Sequence, residues 1–139
     1  METIRELLAR HEEAYRLRDA AALARHYTKD AGVSSPMFPR ADGRDAIESS
    51  FAKLFRVFPD WTIAFAEPCV EDARAMVMCK VKGTQQGEFM GVPGTGKKLE
   101  FDCVLAYEFQ DGLIKRERRI YDFTGLLIQL GVLKGKPVV

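Results

Sequence analysis

Apolar side chains return every three or four positions near the start of the chain. Ile4, Leu7, Leu8, His11 and Tyr15 make one mostly apolar stripe, which predicts an amphipathic helix over residues 2–18. Asp19 is placed to cap a second short helix carrying Leu23, His26 and Tyr27 on one side. The stretch AGVSSPMFPRADG, with its prolines and glycines, predicts a short strand followed by a loop. Residues 43–58 predict a further helix with Ile47, Phe51, Leu54, Phe55 and Phe58 inward. Asp42 and Asp45 supply its N-terminal box, and Pro59 stops it.

The pattern then changes to strands. WTIAFAE alternates, and ARAMVMCKVKG is apolar without helical spacing. In KLEFDCVLAYEF, Leu99, Phe101, Cys103, Leu105, Tyr107 and Phe109 share one face, and Glu100, Asp102, Val104 and Glu108 the other. Gln110-Asp111-Gly112 predicts a turn and LIKRERRIYDF the returning strand. TGLLIQLG predicts a short closing helix stopped by Gly131. Helices followed by a long sheet mean an α+β chain, expected as one domain over residues 1–139.

One segment, GVPGTGKK at residues 91–98, nearly matches a phosphate-binding loop, with Lys98 where the pattern needs Ser or Thr. Such a loop must open a helix, whose N-terminal N–H groups hold the phosphates. A period-two strand follows here instead, so the segment reads as a loop between antiparallel strands.

Composition narrows the function classes. Hydrophobic residues make up 47% and charged residues 29%, a globular balance, and the net charge of +1 gives no broad nucleic-acid or acidic-membrane footprint. No apolar run reaches membrane-spanning length, and METIRELLARHEE mixes acids and bases unlike a signal peptide. Cys69, Cys79 and Cys103 contain no CxxC, so they are expected as buried thiols in a cytoplasmic protein. His11 and His26 lack metal-ligand spacing, and no metal site is expected. Lys115-Arg116-Glu117-Arg118-Arg119 points its charges to both faces of a strand, which suits a solvated or dimer-facing strand better than RNA binding. Apolar groups on the second faces of the last two strands, Val104, Ala106, Leu113 and Tyr121, predict a homodimer through the outer sheet face.

Several segments in order carry a family resemblance: GTQQGEFMGVPGTGKKLEF, YEFQDGLIKRERRIYD and GLLIQLGVL, with GRDAIESSF and FPDW upstream. Together they resemble the SnoaL-like polyketide cyclases, also called ester cyclases, of the NTF2-like (cystatin-like) superfamily, over about residues 5 to 133. The resemblance implies a cone, in which a curved antiparallel sheet wraps around the N-terminal helices and leaves an apolar cavity. It also implies a cofactor-independent acid/base enzyme acting on an apolar carbonyl compound. The family's acid/base aspartate falls on Asp122. Its histidine on the preceding strand falls near Tyr107, and no histidine occurs between residues 97 and 110. Ser34, Ser35 and Met37 stand where a polar Asn/His pair would be.

The candidate catalytic set is therefore Asp122, His11 and Tyr107. Asp122 shares strand parity with Ile114 and Ile120, which would carry it into apolar surroundings and raise its pKa; its other reading is a cap for the closing helix. Arg116 and Arg118 share that parity too, so either they lie beyond the closed part of the cone or a β-bulge resets the alternation. His11 is either a satisfied core residue or a titrating group reaching the cavity. Tyr107 is either a core aromatic or a hydrogen-bond partner for a substrate oxygen. Expected around the pocket are Tyr15, Met37, Phe38, Phe55, Trp61, Phe89, Phe101, Cys103, Ile120 and Leu126. The occupant would be a hydrophobic small molecule, turned over as in a cyclase or isomerase, or only bound. A partner-binding module built on the outer sheet is the remaining reading.

Overall fold

A computed structural model describes residues 1–135. In chain order the elements are α1 (Ile4–Arg16), α2 (Ala20–Ala24), β1 (Tyr27–Ser34), β2 (Ala41–Asp42), α3 (Arg44–Val57), β3 (Thr62–Phe65), β4 (Cys69–Glu71), β5 (Arg74–Thr84), β6 (Lys98–Gln110), β7 (Leu113–Ile120) and α4 (Phe123–Gln129). The strands form one curved, unclosed sheet in the order β2-β1-β7-β6-β5-β3, with β4 also on β5. This is the α+β architecture expected. One pairing departs from an antiparallel sheet: β1 runs parallel to β7. A parallel neighbour needs a crossover rather than a hairpin, and α3 with the intervening strands supplies it.

The helices form where capping and apolar spacing agree. Thr3 accepts the Glu6 N–H at 3.1 Å to start α1, which buries Leu7, Leu8, His11, Ala14 and Tyr15. Asp19 accepts the Ala22 N–H at 3.0 Å and starts α2. The expected Asp42/Asp45 box on α3 does not form. Gly43 is the N-cap at φ +93, with no side-chain cap bond, and Asp42 accepts from Arg40 Nε at 2.9 Å instead. Asp42 belongs to β2, and its pairing with β1 turns it away from the helix end. Gly131, at φ +76, ends α4 as expected, with its N–H on the Ile128 carbonyl.

In β6, Leu99, Cys103, Leu105, Tyr107 and Phe109 are buried and Phe101 half-buried, as the alternation predicts. Their partners on β5 continue the same inner face, with Val77 opposite Leu105 and Cys79 opposite Cys103. Cys79 and Cys103 are buried, whereas Cys69 is exposed on the short β4, against the expectation of three buried thiols. Residues 91–97 form a loop leading into β6, and no helix follows them. Buried Gln85 holds that loop: its amide donates to the Gly87 and Val92 carbonyls at 3.2 Å, and its oxygen accepts from Thr95 at 2.9 Å. No helix among the described residues is long and apolar enough to cross a membrane.

One irregularity in β7 decides the site. Phe109 pairs with Ile114 and Glu108 with Arg116, so Lys115 is an extra residue in the strand. A bulge of this kind resets the alternation beyond it. Ile114 faces inward, and after the bulge Glu117 is buried while Arg116 and Arg118 are exposed. Ile120 is 48% exposed. The parity linking Ile114 to Ile120 and Asp122 is broken, and the inward positions pass to Glu117, Arg119 and Tyr121.

Candidate active site

Two linked groups of polar side chains occupy the interior of the cone. The first is a buried network between α1, the start of β1 and β7. His11 Nδ1 and His26 Nδ1 are hydrogen-bonded at 2.7 Å, and His11 Nε2 lies 3.4 Å from the Tyr27 hydroxyl. Tyr27 donates to Glu117 Oε1, and Arg119 Nε donates to Glu117 Oε2 at 2.5 Å. At the outer end, Arg10 Nη1 lies 3.2 Å from His26 Nε2. Tyr107 joins from β6 with its ring 6.2 Å from that of His11, and its buried hydroxyl has no partner among the described residues.

The second group lines a cavity of about 30 Å³, the size of a single water. Its walls are mostly apolar, and the residues that line it include Tyr15, Ser35, Trp61, Cys103, Arg119 and Tyr121. The Trp61 Nε1–H is buried without an acceptor among the described residues. The loop from Ser35 to Arg40 closes the mouth: Tyr121 Oη accepts the Met37 N–H at 2.9 Å and lies 3.0 Å from Ser35 Oγ. Outside it, a depression of about 290 Å³ shares Ser35, Arg119 and Tyr121 with the cavity. Arg119 thus belongs to the network, the cavity and the mouth. Its guanidinium also lies 5.3 Å over the Phe51 ring.

Burial opposes charge throughout. It works against the Arg119 cation, yet the adjoining Glu117 carboxylate holds the guanidinium protonated well above its ordinary range. Burial, with His26 and Arg119 nearby, pushes His11 well below the usual imidazole value and keeps it neutral. Burial and then Arg10 lower His26. Burial followed by Glu117 raises Tyr27 and Tyr107, and burial raises Tyr15 and lifts the Cys103 thiol to about 11. No group of His, Cys, Asp or Glu among the described residues is arranged to hold a metal ion.

Of the expected pocket residues, Tyr15, Met37, Phe38, Trp61, Phe101 and Cys103 do line the cavity. Phe89 packs on Phe38 and Phe58 beside it, and Phe55 stacks on Phe51 behind the wall. Leu126 is buried in the core without reaching the cavity, and Ile120 borders only the outer depression. His11 and Tyr107 are buried next to the cavity rather than on its surface.

Asp122 is exposed, contrary to the apolar surroundings expected for it, because the bulge turns its side chain outward. It is the N-cap of α4 and accepts the Gly125 N–H at 2.9 Å. A Cβ on Gly125 would come within 2.4 Å of the Asp122 carboxylate, so the bare glycine makes room for this cap. Asp122→Ala is accordingly expected to cost about 1 kcal/mol in a urea titration, and Asp122→Asn only a few tenths. Sequence reasoning passed over Glu117 and Arg119 as surface charges. The available signal was the conflict of parity in the strand, which a bulge resolves.

The fold agrees with the proteins that this chain resembles. The chain matches the family described as SnoaL-like polyketide cyclase over residues 5–130. Among solved structures, AclR from Streptomyces galilaeus, a candidate hydroxylase, is 25% identical with a TM-score of 0.80, covering 94% of this chain and 82% of its own. IdmH from Streptomyces antibioticus, a candidate polyketide cyclase, is 26% identical with a TM-score of 0.72, covering 90% and 96%. A SnoaL-like polyketide cyclase from Agrobacterium tumefaciens is 18% identical with a TM-score of 0.77, covering 94% and 100%, and shares the fold. Among curated proteins none matches. With a family match that spans residues 5–130 of the 139, this protein belongs to the SnoaL-like polyketide cyclases.

Proposed function

We propose that this protein is a cofactor-independent cyclase that closes a ring in an apolar, polyketide-like carbonyl compound. The observation that carries the reading is Arg119, a permanent cation on the wall of an otherwise mostly apolar cavity. Removing a proton from a carbon between two carbonyls leaves an enolate, whose oxygen charge a preorganised guanidinium stabilises. The enolate carbon attacks a second carbonyl of the same molecule. A C–C bond forms, that C=O becomes an alkoxide, and the alkoxide takes a proton back. Asp122 adjoins Tyr121 at the mouth, and its carboxylate carries the proton if the substrate extends outward and the bond to Gly125 is released. The closed loop at Ser35–Arg40 must open to admit any such molecule.

The test is deuterium exchange at the central carbon of a 1,3-diketone in heavy water, followed by mass spectrometry. The protein is expected to accelerate it, with Arg119→Met slower by roughly 10²–10³ and Asp122→Asn by roughly 10²–10⁴. The absence of any carboxylate or imidazole from the cavity wall favours a second reading, a binder of hydrophobic carbonyl compounds. Binding without accelerated exchange would decide for the binder.

The outer sheet face supports a homodimer. Exposed Met78 lies level with Val104 and Ile120 across three strands, and exposed Met76 lies level with Ala106. An apolar strip on a sheet face is a candidate interface. Sedimentation is expected to give a dimer at micromolar concentration, and Met78→Glu with Ile120→Glu a monomer.

A further inference from the structure

The polar atoms between the surface and Arg119 have their donors and acceptors ordered in one direction. Glu2 holds Arg10 through two bonds, from Nε at 2.6 Å and Nη2 at 2.7 Å. Arg10 can only donate, so the His26 Nε2 that meets its Nη1 is the acceptor. The proton of His26 is then on Nδ1 and is donated to His11 Nδ1. His11 in turn carries its proton on Nε2, facing the Tyr27 hydroxyl, and the Tyr27 proton goes to Glu117. Each tautomer follows from its neighbour once Arg10 is in place. Glu117 has no exposed side-chain surface and does not reach the cavity wall. One carboxylate oxygen receives Tyr27 and the other receives Arg119.

We propose that Glu117 is the positioning residue of the cavity's cation, and that its carboxylate is oriented by a one-way hydrogen-bond chain running inward from His26 through His11 and Tyr27. The inference rests on the cavity being the working site. Glu117 spends the Arg119 Nε–H, which leaves the terminal amino groups for an oxygen anion. The two histidines act as fixed neutral spacers in this arrangement and do not touch the substrate.

Two measurements on the full chain test this. Nitrogen NMR of the imidazoles is expected to show His26 protonated on Nδ1 and His11 on Nε2; either opposite tautomer overturns the chain. Trp61, the one tryptophan of the protein, reports by fluorescence on the binding of 1,3-cyclohexanedione, an enolate at neutral pH, and of uncharged cyclohexanone. Tyr27→Phe keeps the ring and cuts the chain. It is expected to weaken the dione roughly 2–10-fold, the worth of one hydrogen bond, to leave cyclohexanone unchanged, and to shift the Arg119 Nε–H resonance. His26→Ala, at the outer end of the hydrogen-bond chain, is expected to shift the same resonance and serves if Tyr27→Phe fails to fold. An Arg119 signal unmoved in the variant that folds overturns the positioning role. If neither probe binds the wild-type protein, the cyclase reading fails, and the tautomers and the Arg119 resonance still decide the positioning.

Discussion

Glu117→Ala is expected to lower the unfolding free energy by about 3–5 kcal/mol, the usual consequence of removing one partner from a buried ion pair. The Arg119 guanidinium would remain in the interior with Phe51 as its principal support, and it cannot shed its proton to escape the low dielectric. The Tyr27 hydroxyl would lose its acceptor at the same time. Replacing both charges with apolar side chains, as Glu117→Leu with Arg119→Met, is expected to recover most of that loss, because neither charge then needs hydration. Urea denaturation of the two variants beside the wild type checks both expectations. A single-variant loss below about 1 kcal/mol would mean that the pair is solvated, as surface pairs are. The double variant is also the informative one for function, since it should fold well and lack enolate stabilisation.

The second large effect is a loss of stability in mild acid. His11 is held neutral in the folded protein, well below its ordinary value of 6.5, first by burial and then by His26, Arg119 and Arg10. Between the folded and unfolded values the unfolded chain binds more protons, so stability must fall as pH falls. His11 thus contributes fully above about pH 6.5, and the contribution declines below it. The slope approaches about 1.4 kcal/mol per pH unit for this one group. His26, also lowered, adds in the same direction. Tyr27 and Tyr107 stay protonated throughout and add no slope here. The lowered carboxylates Glu2, Glu13 and Asp60 act in a separate window, below their ordinary values of 4.5 and 3.8. Thermal melts between pH 7.5 and 5 check the prediction, and His11→Asn should flatten the curve. A wild-type melting temperature that is constant over this range would mean that His11 reaches solvent.

Much of the framework was legible along the chain, because it rests on local periodicity. The stripe from Ile4 to Tyr15, the inward run from Leu99 to Phe109, the turn at Asp111-Gly112 and the stop at Gly131 each follow from neighbours a few residues away. So does the reading of GVPGTGKK as a loop, since the strand after it leaves no helix terminus for a phosphate. Of the six expected pocket residues that line the cavity, Tyr15, Phe101 and Cys103 follow from helix and strand parity, whereas Met37, Phe38 and Trp61 lie outside the regular elements. The misplaced faces along β7 have one source. A single extra residue, Lys115, reverses every face after it, moving Ile120 and Asp122 out and Glu117 and Arg119 in. Whether a strand takes a bulge depends on its register against the neighbouring strand, which local periodicity does not contain.

The sequence by itself determined the longer elements, the inner face of β6 and the family; only the tertiary structure added the short strands β2 and β4 and decided which charges are buried. Tyr27 and Glu117 stand 90 residues apart along the chain and meet because β1 lies parallel to β7 beneath α1. A carboxylate and a guanidinium within a run of basic residues look solvated in sequence. Burial of the Glu117 carboxylate is tolerated because one oxygen receives the nearby Arg119 and the other the distant Tyr27, and only packing brings Tyr27 there.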